Sequence, residues 1–183
     1  RGAFGRAGSA GVRGVRNPID GGIPGPMAWE ACFAGEYRQV GDWYSGSGSQ
    51  AGEDKTCDIH CIIHDENAYL QTGPNMKRGI EAHRKMDFVL SKAQFLTTQA
   101  RYSDIVIPVT TQWEVPGGTA SSNREFLFCF SKVTDPLYES KTDQAINTLI
   151  MEALGLDASK AYPNSETHAF FNPLAGAQVM QHA

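Results

Sequence analysis

The chain has 183 residues, a formal net charge of −4 at pH 7 and a pI of about 5.7. Hydrophobic residues make up 41% of it and charged residues 20%, which is typical of a globular domain and not of a disordered segment. The acidic balance argues against nucleic acid as a partner. No apolar run reaches the ~18 residues of a membrane span. The four irregularly spaced cysteines do not indicate a disulfide scaffold.

The amino-acid composition of the chain changes near residue 56. Thirteen of its 19 glycines lie in residues 1–52, so residues 1–56 are interpreted as a Gly-rich loop region. That region holds one short helix, because Trp29, Cys32 and Phe33 fall on one helical face before Gly35. We expect a domain over residues 57–160 and a connecting segment over residues 161–183.

The middle of the chain alternates short apolar strands with helical stretches. The predicted strands are 58–64, 88–90 and 104–109, and the predicted helices are 75–85, with Asn75 as N-cap, and 95–101. This alternation predicts a βαβαβ unit, and therefore an α/β, Rossmann-like, three-layer domain with a mainly parallel sheet flanked by helices. The third strand is apolar throughout, which predicts that both of its faces are covered.

A further strand is predicted over residues 125–131, and the clearest helix over residues 142–154. Apolar residues recur in that helix at helical spacing, and Gly155 supplies a stop signal. Ser140 with Asp143 resembles a capping box at its start.

Two cysteines and two histidines within residues 57–64 suggest metal ligands at first sight. In a strand, however, Cys57 and Cys61 would lie ~13 Å apart, and the histidines would face the other way. We therefore predict a core strand with ordinary small cysteines and no metal site. His83 is expected to face solvent, and Asp65 to be a solvated loop acid.

Motifs for bond-breaking chemistry are missing from the sequence. There is no Gly-x-Ser-x-Gly elbow, no phosphate loop and no strand-linked Gly-x-Gly-x-x-Gly. The predicted carboxyl ends of the strands instead offer amides, hydroxyls and one lysine, where an open parallel sheet binds its ligands. These side chains suit hydrogen bonding to a base, ribose or phosphate, so we predict a binding module without catalytic residues.

Three segments of the chain carry a resemblance to a known family. Residues 94–114 read QFLTTQARYSDIVIPVTTQWE, residues 67–75 read NAYLQTGPN, and residues 135–143 read DPLYESKTD. In this order they resemble signature segments of the molybdopterin oxidoreductases, most closely catalytic subunits of the dimethyl sulfoxide reductase type. The resemblance covers residues 57–156 well and the flanking residues loosely.

The resemblance implies that these residues are the third, Rossmann-like domain of a much longer subunit used in anaerobic respiration. That subunit would be an oxidoreductase that holds molybdenum in bis-(molybdopterin guanine dinucleotide), with an iron–sulfur cluster in another domain. This domain would grip a guanosine end of the cofactor and would be inactive alone. The implied partners are the other domains, a ferredoxin-like electron-transfer subunit and a membrane anchor. The implied location is extracytoplasmic, after export by a twin-arginine signal.

The same resemblance suggests the contacts to the cofactor and shows where this chain departs from the family. The candidate contacts are Asn67, Gln71, Lys92, Gln94 and Asp143. The family's polar residues are replaced by other types, or shifted by one residue in the first turn, at Ala68, Thr72, Ala93, Gln99 and Val115. The family aspartate that accepts from guanine falls at Ala93, which cannot replace it. An alternative is therefore a non-catalytic nucleotide-binding or interaction module that keeps the fold with a degenerate site.

Overall fold

The computed structural model describes residues 23–38, 52–65, 68–120 and 127–166. These residues fall into two compact units, 23–108 and 109–166. Most of the predicted Gly-rich region and most of the predicted connecting segment lie outside the described residues. The predicted boundaries at residues 56 and 160 stay predictions.

The first unit begins with a short helical segment and a small antiparallel ribbon. A 3₁₀ turn over Gly25–Met27 leads into α1 (Ala28–Ala34), and β1 (Glu36–Arg38) pairs with β2 (Asp54–Thr56). Helix α1 ends at Gly35, whose φ of +69° is the left-handed conformation that a residue without Cβ adopts readily. The predicted helix and its stop are therefore confirmed.

A parallel sheet follows, made of three strands among the described residues. Its strands are β3 (Cys61–His64), β4 (Phe88–Ala93) and β5 (Ile105–Pro108), in the order β3-β4-β5. Helices α2 (Tyr69–Thr72) and α3 (Met76–Lys85) connect β3 to β4, and α4 (Thr98–Arg101) connects β4 to β5. The predicted α/β class with a parallel sheet and flanking helices is confirmed.

Helices α1, α2 and α3 share one core beside the sheet. Trp29, Cys32, Leu70 and Ala82 form a buried cluster, and Leu70 and Ala82 are fully buried. Helix α3 is amphipathic and begins as predicted, because the Asn75 side chain accepts a hydrogen bond from the Arg78 amide.

The second unit contains a β-ribbon and two helices in its described part. Strands β6 (Gly117–Ala120) and β7 (Leu127–Phe130) pair antiparallel, and α5 (Asp143–Ala153) precedes α6 (Ala158–Ala161). Glu114 organises the connections, because its carboxylate accepts from the amides of Thr111 and Leu137 at 2.6 Å. Those two amides hold the pKa of Glu114 below its ordinary range.

The predicted capping box at the start of α5 is wrong. Thr142 is the N-cap, and its hydroxyl accepts from the Ala145 amide at 3.2 Å. The Ser140 hydroxyl instead donates to the Leu137 carbonyl at 2.7 Å, within the preceding turn. Thr142 is two residues closer to the helix than Ser140, so its hydroxyl lies nearer to the first-turn amides that lack a partner within the helix.

Two predictions about strand burial are also corrected. Strand β5 is not covered on both faces, since Ile105 is 48% and Val106 37% exposed. Among the described residues, β4 is its one neighbour in this sheet. In β3, Cys61 is exposed and His64 is buried, so the core face is the one that carries the histidine. Because side chains alternate between the two faces of a strand, an error in the phase assigns every side chain to the wrong face.

Gly79 tests the packing of this core. A Cβ at residue 79 would lie 2.6 Å from Leu70 Cδ1 and 2.9 Å from Trp29 Cε2. Alanine improves helix propensity by about 1 kcal/mol, but overpacking a core costs about 1–3 kcal/mol. We expect Gly79→Ala to lower the free energy of unfolding in urea titrations. Lys77→Ala, at an exposed position of the same helix, is the control; a Gly79→Ala protein more stable than this control would contradict the packing.

Candidate functional site at the carboxyl edge of the sheet

The candidate site lies where the parallel strands end. Asp65 directly follows β3, and the register that pairs His64 with Ser91 puts Lys92 of β4 beside it. The Lys92 ammonium lies 2.6 Å from Asp65 Oδ1. The lysine side chain is only 1% exposed, whereas the aspartate side chain is 66% exposed. The pair therefore presents a carboxylate, and not an ammonium, to the surface of this edge.

A second polar link joins the turns that follow β3 and β4. Gln99 of α4 is fully buried, and its Oε1 accepts from the Leu70 amide in the first turn of α2 at 3.0 Å. The Gln99 amide donates to Gln71 Oε1 at 3.3 Å. Each contact satisfies a first-turn amide that has no partner inside its own helix. Helices α2 and α4 are thus fixed to each other at this edge.

Two histidines are buried under the same end of β3. The Nε2 atoms of His64 and His83 are 2.8 Å apart, and the rings stack with an angle of 10° between their planes. His83 Nδ1 lies 2.6 Å from the Gly79 carbonyl, so this nitrogen must carry the proton. In the neutral pair His83 Nε2 is then the acceptor, and His64 Nε2 donates to it. His83 was expected to face solvent, and the structure corrects that expectation: its helix turns it into the core.

Burial controls the ionisation of this pair. Burial and the neighbouring His83 ring lower the pKa of His64 from 6.5 to about 4, against the opposing effect of Asp65. Burial also lowers the pKa of His83, against the opposing effect of its bond to the Gly79 carbonyl. Both imidazoles are consequently neutral near pH 7.

The opposite edge of the sheet holds a cavity of about 290 Å³. Its lining includes Cys32, Cys57, His60 and Lys85. His60 lies between Asp58 at 3.1 Å and Asp87 at 2.6 Å, and hydrogen bonds to Asp87 and Asp58 raise its pKa. Within the described ranges, no group of three His, Cys, Asp or Glu side chains is placed to hold a metal ion.

The structure brings some of the predicted contacts to one edge. Lys92 lies near the end of β4 and Gln94 directly follows that strand, while Gln71 lies on α2 and contacts α4. Asp143 begins α5 in the second unit. Asn67 lies outside the described residues. No contact to a ligand is tested by the structure, so all five remain predictions.

Sequence reasoning missed the roles of Asp65 and Gln99. Asp65 was interpreted as a solvated loop acid, and Gln99 only as a departure from the family pattern. The signal for Asp65 is the lysine in a buried strand, because a buried ammonium requires a nearby anion. No sequence signal identifies Gln99, since its partner amide is 29 residues away.

Comparisons with known proteins agree with this fold. A formate dehydrogenase-like protein of Staphylococcus haemolyticus is 32% identical over 83 residues, which are 45% of this chain and 8% of that protein. A dimethyl sulfoxide/trimethylamine N-oxide reductase of Cereibacter sphaeroides is 38% identical over 85 residues, 44% of this chain and 10% of the reductase. No family model matches the chain.

A solved structure shares this fold. Acetylene hydratase from Pelobacter acetylenicus superposes with a TM-score of 0.57 at 18% identity, covering 87% of this chain and 19% of that one. The predicted α/β fold is confirmed, and these matches confirm the predicted resemblance to molybdopterin oxidoreductases. The matched segment spans about a tenth of the length of the curated relatives.

The buried histidine pair predicts a dependence of stability on pH. Its lowered pKa values mean that the unfolded chain binds more protons than the folded chain as the pH falls below 6.5. The stabilisation is therefore complete above that pH and is lost on the way down to about 4. We expect the free energy of unfolding, measured by urea titration at a series of pH values, to decrease as the pH is lowered through this window.

Two variants isolate the contribution of the pair. His64→Gln keeps an N–H donor toward His83 but cannot titrate, so the acid-side loss should become smaller. His60→Gln is the control, because the pKa of His60 is raised and not lowered. The stabilisation that the His60 ion pairs contribute is present below pH 6.5 and is lost only as the pH rises through the pKa of His60 in the folded protein. An equal acid-side loss in the His64→Gln and wild-type proteins would contradict the assignment.

Proposed function

We propose that this chain is the Rossmann-like domain that binds a guanosine end of molybdopterin guanine dinucleotide in a dimethyl sulfoxide reductase-type enzyme. The observation that carries the proposal is the parallel sheet whose carboxyl edge holds polar side chains, in a chain that is 38% identical over 85 residues to a dimethyl sulfoxide/trimethylamine N-oxide reductase. Open α/β sheets bind nucleotides at this edge.

The residues at this edge fit a nucleoside better than a phosphate. The Asp65 carboxylate is exposed, the Gln71 and Gln94 side chains are exposed, and Lys92 is buried behind Asp65. Amides and a carboxylate bind the N–H and O–H groups of a base and ribose, while a buried ammonium cannot reach a phosphate. In the parent enzyme the molybdenum would supply the redox chemistry; this chain would bind and orient the nucleotide.

The wider setting of the parent enzyme is part of the same proposal. The parent would reduce an S-oxide or N-oxide, would carry bis-(molybdopterin guanine dinucleotide), and would hold an iron–sulfur cluster in another domain. Its partners would be a ferredoxin-like subunit and a membrane anchor outside the cytoplasm, and this domain alone would be inactive. The name of the Cereibacter relative supports the substrate class. No described helix is long and apolar enough to cross a membrane.

One observation favours the alternative of a degenerate binding module. Lys92 is buried against Asp65, and the Gln71 side chain accepts from the Gln99 amide. Two of the proposed ligand contacts, Lys92 and Gln71, thus already make interactions within the protein. In this alternative the domain keeps its architecture without binding guanosine.

Nucleotide titration separates these functions. We expect GDP to cause saturable amide chemical-shift changes in residues 64–72 and 91–98, and NAD to cause none. The reason is that this edge lacks the Gly-x-Gly-x-x-Gly turn by which Rossmann folds bind nicotinamide dinucleotides. Amides at the opposite edge, such as those of His60 and Asp87, serve as internal controls and should not respond.

Other outcomes of this titration contradict the proposal in different ways. Saturable shifts with NAD at the same residues would indicate a different nucleotide class. A flat response to GDP up to millimolar concentration would favour the degenerate module.

A further inference from the structure

We propose that Cys32 and Cys57 form a redox-active dithiol site, which exchanges with small disulfides and closes a bond between α1 and the segment that leads into β3. The site borders the cavity at the edge of the sheet opposite the candidate nucleotide site. The inference therefore goes beyond the proposed function and does not depend on it.

The position of the Cys57 backbone is the first support, because it lies against the last turn of α1. Its amide donates to the Gly35 carbonyl at 2.8 Å, and Gly35 follows Cys32 by less than one helical turn. The Cys57 thiol donates to the Ala31 carbonyl at 3.6 Å, and Ala31 directly precedes Cys32. The ribbon of β1 and β2 brings the chain back to the helix, so two cysteines that are distant in the sequence come together.

The environment of the two thiols is the second support. Neither cysteine is in a disulfide, and both line the same cavity. The Cys32 thiol donates to the Ala28 carbonyl at 3.3 Å, but a thiol is a weak donor, so both side chains can rotate out of their hydrogen bonds at little cost. Burial raises the pKa of Cys32 and the neighbouring Cys57 raises it further, so the two sulfurs lie within electrostatic reach of each other.

Exposure assigns an order to the two exchange steps. Cys57 is half-buried and Cys32 is 8% exposed, so a reagent reaches Cys57 first. The Cys57 thiolate attacks the small disulfide, forms a mixed disulfide and releases one thiol. The Cys32 thiolate then attacks the Cys57 sulfur, forms the internal disulfide and releases the second thiol. The two cysteines lose two electrons and two protons in all, and the small disulfide takes them up as two thiols.

Lys85 supports the second step. Its ammonium donates to the Cys32 carbonyl at 2.6 Å and lines the same cavity. Its charge lowers the pKa of Cys32 against the larger, opposing effect of burial, and the thiolate is the form that attacks a disulfide.

Cys61 provides the matched comparison. It is more exposed than Cys32 and Cys57, but it does not line the cavity. Oxidation that followed exposure alone would modify Cys61 first, whereas oxidation that follows the geometry links Cys32 to Cys57.

The experiment is to equilibrate the full chain with a series of ratios of oxidised to reduced glutathione, quench with acid and map the disulfides by mass spectrometry. Digestion with trypsin and endoproteinase Asp-N separates Cys57 from Cys61, because Asp58 lies between them. We expect the wild-type chain to lose the thiols of Cys32 and Cys57 together and to give a linked peptide that contains both.

Two variants test the order of the steps. Cys32→Ser removes the second thiol, so glutathione should stay on Cys57 at a level about ten-fold higher than in wild type, because a neighbouring group reacts at a high effective concentration. Cys61→Ser is the control and should leave the yield of the linked peptide unchanged. Circular dichroism and a thermal melt establish that the variants are folded.

Three results for the wild-type chain would overturn the proposal. The first is glutathione that remains on Cys57 without a linked peptide. The second is a bond from Cys57 to another cysteine that forms as readily as the bond to Cys32. The third is a Cys57 thiol that stays free at the most oxidising ratio. Because this map needs no variant, it decides the proposal even where Cys32→Ser fails to fold.

Discussion

A lysine ammonium buried in the middle strand of the described sheet is the constraint on which the candidate site depends. Lys92 is 1% exposed, and a buried charge of this kind is tolerated only with a close counter-ion. Asp65 supplies it at 2.6 Å from the end of the neighbouring strand. The pair therefore fixes the last residues of β3 and β4 relative to each other and sets the polarity of the edge.

The other polar contacts at this end extend the same constraint to the helices. Gln99 holds the first turn of α2, Gln71 holds the first turn of α4, and the His64–His83 pair ties α3 to the end of β3. Gln99 and both histidines are buried, whereas the Gln71 side chain is exposed. These contacts give the candidate site a rigid support, which is the condition for selective binding by a few hydrogen bonds.

Periodicity and local signals in the sequence predicted the framework well. Each successful prediction depends on residues within a few positions of one another. These predictions are the Asn75 cap, the Gly35 stop, the apolar helix toward the C-terminal end and the alternation of strands and helices. The capping box failed because Ser140 and Thr142 are both good caps and their geometry selects between them. The prediction of which face of β3 is buried was wrong, because four residues do not define the phase of an alternating pattern.

The sequence by itself determined the fold class and the family resemblance, and it predicts the edge of the sheet where a ligand would bind. Only the tertiary structure decided what the polar side chains at that edge do. It buried His83, which was predicted to face solvent, and Lys92, which was predicted to contact the cofactor, and it exposed a carboxylate beside the lysine. The physical reason is distance along the chain: Asp65 and Lys92 are 27 positions apart, and their pairing exists only once two parallel strands are in register.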